Sequence, residues 1–217
     1  MSEFKLILVD PQPALCLAWQ SHFTGLPRVE IVTAYFEHLP HFDCMVSAAN
    51  SFGLMDGGVD AAIVRFFGDE LMQRVQRRIL DEYLGEQPVG TSMIVETGHP
   101  KHPFVAHTPT MRIPLNIAHT DNVYLAMSAM LLAVHRHNQR SERRIGIVAC
   151  PGFGTLTGRV PFPEAARQMS LAYQNFLSPP TRIDWGLAKS RHGQVRYGGD
   201  MRRADKGGPD DPPHAAF

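Results

Sequence analysis

The chain has 217 residues, 44% of them hydrophobic, which suits one domain of ordinary size with a buried core. Its 21 Lys and Arg balance 21 Asp and Glu, so net charge gives no broad drive toward nucleic acid or an anionic membrane. Cys16, Cys44 and Cys150 are odd in number, far apart and in apolar contexts. They read as buried free thiols in a reducing compartment, with no metal-ligand spacing. No run approaches the ~18 apolar residues of a membrane span, and the N-terminus lacks a basic stretch followed by an apolar one. The expectation is a cytoplasmic protein with no membrane partner and no metal or other cofactor.

In chain order, residues 4–9 read as a strand ended by Asp10-Pro11, and residues 13–23 as a helix with Leu15, Leu17, Ala18 and Trp19 on one face. Residues 29–33 and 42–46 read as the second and third strands. The third delivers a loop of small residues that includes Ala49, Asn50, Gly57 and Gly58. After Gly58 the apolar spacing of Val59, Ile63, Phe66 and Phe67 is that of a helix. The loop therefore feeds a helix N-terminus, where free N–H groups and the positive end of the helix dipole make a seat for a phosphate.

A second helix is expected over residues 70–83, its arginines and carboxylates forming a solvated face. Residues 89–96 and 104–107 read as two strands around a Gly/Pro/His connection. His99, His102, His107 and His119 match no zinc pattern. Thr120 or Asp121 can cap a helix to about residue 137 with Val123, Met127, Met130, Leu131 and Val134 inward.

Residues 145–149 are a continuous apolar run, the form of a buried central strand. They lead into a second glycine loop, Gly152, Phe153, Gly154, Thr155, Leu156, Thr157 and Gly158, and then a helix over residues 163–176. Two such loops side by side would form one crevice gripping a diphosphate from both sides. From residue 188 Gly, Pro and mixed charges dominate, so residues 1–187 read as one domain and 188–217 as a flexible tail.

The order of residues in the loops is more specific than their geometry. Val46-Ser47-Ala48-Ala49-Asn50, followed by Gly57-Gly58-Val59-Asp60-Ala61-Ala62-Ile63, resembles the first ligand loop of the macro domain family. Pro151, Thr155, Pro161 and Glu164-Ala165-Ala166-Arg167 resemble its second, and His107-Thr108 its middle strand. The resemblance covers residues 29–177. It implies a three-layer α/β/α sandwich with a mixed, mostly parallel sheet. It also implies binding of ADP-ribose or an ADP-ribosylated protein, with Asn50 holding the distal ribose and Asp60 activating a water.

Four departures from the family pattern stand out: Ser47 replaces an Asn, Asp56 a Gly, Leu156 a Gly, and Gly158 an aromatic. The family's adenine-recognising Asp is aligned with Tyr35, so Tyr35 or Phe36 is the expected stacking partner, with Tyr173 and Phe176 of the last helix as the other candidates. Three classes stay open: a hydrolase of ADP-ribosyl esters, a reader without turnover, and an interaction domain.

Overall fold

The computed structural model describes residues 4–195. The elements run β1 (Lys5–Val9), α1 (Pro13–Phe23), β2 (Val29–Val32), a 3-10 turn (Phe36–His38), β3 (Cys44–Ser47), α2 (Gly58–Phe67) and α3 (Glu70–Tyr83). They continue with β4 (Met93–Glu96), β5 (Phe104–His107), α4 (Asn122–Arg140), β6 (Ile147–Cys150), α5 (Phe162–Leu177) and α6 (Trp185–Gln194). The strands form one sheet in the order β2-β1-β6-β3-β5-β4, parallel except that β4 runs antiparallel to β5.

Alternation along the strands builds two cores. Leu6, Leu8, Cys44, Val46, Phe104, Ala106, Val148 and Cys150 pack with the buried stripes of α1, α4 and α5. Ile7, Val9, Met45, Val105 and Ala149 pack with α2 and α3. Both faces of the central strands are therefore covered, which is why β1, β3 and β6 read as continuous apolar runs. The result is the expected three-layer α/β/α sandwich with a mixed, mostly parallel sheet.

Polar ties fix how the helices sit. Gln168 on α5 accepts from Tyr124 N and donates to Thr120 O, locking the starts of α4 and α5 together. Ser170 and Tyr173 donate to His22 O and Pro27 O, holding α5 against α1.

Some element boundaries differ from the sequence reading. The strand expected over residues 89–96 begins at Met93, because Gly90 (φ 85°) and a Thr91 turn onto Pro88 O bend the chain before it. The strand expected from residue 145 begins at Ile147. Asn138 Oδ1 takes the Ile145 N–H, and Asp43 Oδ2 takes those of Gly146 and Ile147. The 3-10 turn and α6 carry no apolar period that would announce them.

Helix α6 has no buried residue and starts on an Asp184 side chain that accepts from Leu187 N, so capping rather than packing defines it. It crosses the boundary drawn at residue 187. Residues 196–217 of the expected tail lie outside the described residues. No helix among the described residues is long and apolar enough to cross a membrane.

Candidate functional site

The parallel strands end along one edge of the sheet, and both glycine loops emerge there. Between them lies a crevice of about 430 Å³, walled by the ends of β1 and β3, the start of α2, residues 34–37, Thr110, Met111, Pro114 and the loop after β6.

The first loop is held as an extension of the sheet. Ala49 N donates to Thr108 O, Thr110 N to Ala49 O, and Ser51 N to Arg112 O. The Asn50 side chain is spent largely within its own loop. Its Oδ1 accepts from Phe52 N (3.0 Å) and Leu54 N (3.3 Å), and its Nδ2 donates to Leu54 O (2.7 Å). One Nδ2 hydrogen is left for a ligand.

The chain then enters α2 through Gly57 as N-cap and Gly58 at φ 56°, a left-handed position that favours glycine. A Cβ at either glycine would meet nothing within 4 Å, so this backbone lies open to the crevice.

Asp60 stands in the first turn of α2, 7% exposed at the crevice wall. Its Oδ1 accepts from Ser47 Oγ at 2.7 Å. Burial pushes its carboxyl up to about 6; the Ser47 bond opposes the shift and the neighbouring Asp56 charge adds to it. Ser47 thus props the acid from behind instead of lining the crevice.

Also behind the wall is His107, in register with Ser47 on β5. Its Nδ1 lies 2.7 Å from Gln87 Oε1, while Gln87 Nε2 donates to His107 O, so the ring donates from Nδ1. Its Nε2 is buried with no partner, and burial pushes the imidazole down to about 3, leaving it neutral.

The second loop is shaped by crowding. A Cβ at Gly152 would lie 2.5 Å from Leu15 Cδ2, and one at Gly158 would lie 2.5 Å from Gly154 O. Gly158 O accepts from Ile117 N, and Gly154 (φ 68°) O accepts from Val160 N. Glycine at 158, where the resemblance leads one to expect an aromatic, follows from this tight closure of the loop on itself.

Of the residues singled out from sequence, Ala49, Asn50, Gly57, Gly58, Val59, Asp60, Gly152, Gly154, Thr155, Leu156, Thr157, Gly158, Tyr35 and Phe36 all line the crevice. Phe153 does not. It is fully buried in the core, so its aromatic ring supports the loop from below. Phe36 also turns largely inward onto Phe66 and Phe42, while Tyr35 stays 59% exposed on the rim.

The structure adds wall residues that sequence reasoning passed over. Asp10, at the end of β1, accepts from Gln12 N and from the Gly152 N–H, and burial pushes its carboxyl up. An Asp-Pro directly after an apolar strand was the available signal. Arg65, Glu37, Asp56, Thr110 and Met111 also line the walls. Four carboxylates, those of Asp10, Glu37, Asp56 and Asp60, thus face one guanidinium, so a bound anion must rely on backbone N–H groups.

His102 stacks on Phe42 at 4.0 Å and on His99 at 5.0 Å, with Nδ1 2.7 Å from Phe42 O. Among the described residues no group of three or more His, Cys, Asp or Glu is placed to hold an ion. The three cysteines are free and buried.

Comparison with known proteins defines the class. The macro domain family model matches residues 46–169. An uncharacterised protein of Aquifex aeolicus is 35% identical over 127 residues, covering 58% of this chain and 70% of that protein. One from Aeropyrum pernix is 30% identical over 131 residues, covering 60% and 62%.

Among solved structures, the macrodomain of Mycobacterium tuberculosis DarG has a TM-score of 0.55 at 16% identity, covering 66% of this chain and 88% of that one. A mutant Oceanobacillus iheyensis macrodomain solved with ADPR has a TM-score of 0.52 at 22% identity, covering 62% and 71%. The chain belongs to the macro domain family.

Proposed function

We propose that the crevice binds ADP-ribose and that the protein hydrolyses ADP-ribosyl esters, on ADP-ribosylated protein or as O-acetyl-ADP-ribose. The observation that carries this reading is Asp60, a carboxylate at the crevice wall with its proton affinity raised to about 6. A base of that strength accepts a proton at neutral pH and gives it up again readily.

The diphosphate sits against the backbone N–H groups of Gly57, Gly58 and Val59 on one side and of residues 154–158 on the other. Tyr35 on the rim offers its face to adenine. The free Nδ2 hydrogen of Asn50 meets a hydroxyl of the distal ribose. On a protein ester at the anomeric carbon, Asp60 takes a proton from a water as that water's oxygen bonds to the distal anomeric carbon and the ester oxygen leaves as carboxylate. The ADP-ribose-bound relative of the same fold supports the ligand. Three buried free cysteines support a reducing, cytoplasmic setting.

A second reading, a reader that binds ADP-ribose without turnover, is favoured by one observation: the Asn50 amide is committed to its own loop. Calorimetry with ADP-ribose tests binding. Release of ADP-ribose from a glutamyl-ADP-ribosylated protein separates the readings. Turnover supports the hydrolase, and tight binding with no release supports the reader.

A further inference from the structure

A second concavity, of about 890 Å³, shares no residue with the crevice. Its floor is the outer edge of β4, the last strand of the sheet. Thr97 N donates back to Pro103 O, and Arg78 Nη1 donates to Ile94 O at 2.9 Å. In an antiparallel pair the two directions alternate. The backbone groups of Ile94 and Glu96 therefore point away from β5, into the groove. An open edge of this kind is a template for another strand, and a charged side chain over it is a common guard. Here the guard on Ile94 O is the guanidinium of Arg78, which Glu82 also holds.

The groove walls carry a charge excess that the whole chain lacks. Five arginines line it, Arg74, Arg77 and Arg78 from α3 and Arg136 and Arg140 from α4, against Asp81, Glu82 and Glu96. Arg74 pairs with Glu70 and Arg78 with Glu82, whereas Arg77, Arg136 and Arg140 have no carboxylate partner among the described residues. Between these charges lie half-buried Ile94 and Leu132, which is 43% exposed.

We propose that this groove docks an acidic, extended segment of another protein, which adds to β4 as a further strand. The segment's N–H replaces Arg78 on Ile94 O and its carbonyls accept from the outward N–H groups. The freed Arg78 and the unpaired arginines meet its carboxylates, and alternate apolar side chains rest on Leu132 and Ile94. Single-stranded nucleic acid fits the site less well, because base stacking needs exposed aromatic faces. Phe104 is buried and Tyr83 half-buried.

The test uses the full chain and a fluorescein-labelled decapeptide of alternating Glu and Val, followed by fluorescence anisotropy. Saturable binding is expected, weakened at least tenfold by the combined R77E/R136E/R140E variant. Circular dichroism and melting of that variant should match wild type, since all three side chains are exposed. A peptide N-methylated at alternate amides, added to wild-type protein, should lose at least tenfold if the methyls face β4. This arm needs no mutant. No binding of the peptide to wild type would overturn the proposal. So would equal binding of both N-methylated registers and the parent peptide, or oligo-dT binding at these arginines in place of the peptide.

Discussion

Ser47 Oγ donates to Asp60 Oδ1 at 2.7 Å, joining the end of β3 to the first turn of α2 behind the crevice wall. Where the macro pattern has an amide, this chain has a hydroxyl that holds the proposed base. The folded Asp60 carboxyl rises from 3.8 to about 6, so the folded state binds the proton more tightly than the unfolded chain. Stability from this group is full below 3.8 and is lost as pH rises through about 6. At pH above 7 the buried charge costs about 3 kcal/mol.

Asp60→Asn keeps an oxygen for Ser47 and removes that charge. It should abolish the base, cutting hydrolysis by about 10²–10⁴-fold while ADP-ribose still binds. It should also raise the melting temperature at pH 7.5 and leave it unchanged at pH 4. Scanning calorimetry at the two pH values and a release assay check both halves.

Ser47→Ala withdraws the one donor that opposes the rise of the Asp60 carboxyl. A hydrogen bond to a charged group contributes about 1.5–3 kcal/mol, or about one to two pH units. The acid limb of the rate profile, expected near 6 in wild type from the Asp60 carboxyl, should move up by that amount, with hydrolysis at high pH largely kept. An unmoved midpoint in a pH series of kcat would contradict the propping role.

Gly58 at φ 56° opens onto the crevice with nothing within 4 Å of a Cβ. Gly58→Val should lower stability by about 1–2 kcal/mol through left-handed strain and block the diphosphate from the backbone, raising the ADP-ribose dissociation constant by about 100-fold. Gly57→Ala, at φ −139°, carries no strain and isolates the steric part. Calorimetry on the two variants separates the effects.

Asp56 is exposed at the crevice and adds negative potential beside Asp60. Asp56→Asn should tighten ADP-ribose binding by about fivefold at low ionic strength, with the gain shrinking as salt is added. Titration at two salt concentrations checks the magnitude and its electrostatic origin.

His107 gives the opposite pH response to Asp60. Its imidazole falls from 6.5 to about 3 in the fold, so its stability is present above 6.5 and lost as pH falls toward 3. His107→Asn should flatten unfolding free energy against pH between 6.5 and 4, whatever its constant cost. Denaturant melts across that range give the slope directly.

The sequence by itself determined the layers and the two loops that supply about half of the crevice lining. Those depend on local signals: apolar runs for β1, β3 and β6, helical spacing after Gly58, and glycines between strand and helix. What only the tertiary structure decided were contacts between residues distant in sequence.

Asp10 reaches the second loop because β1 and β6 are neighbours. Phe153 turns down because the core beneath it has room for a ring, and Asn50 is consumed by a loop whose path depends on residues 108–112. Ser47 finds Asp60 across thirteen residues of chain. Side-chain direction and burial, which set both hydrogen-bond partners and proton affinity, exist only once the strands lie side by side.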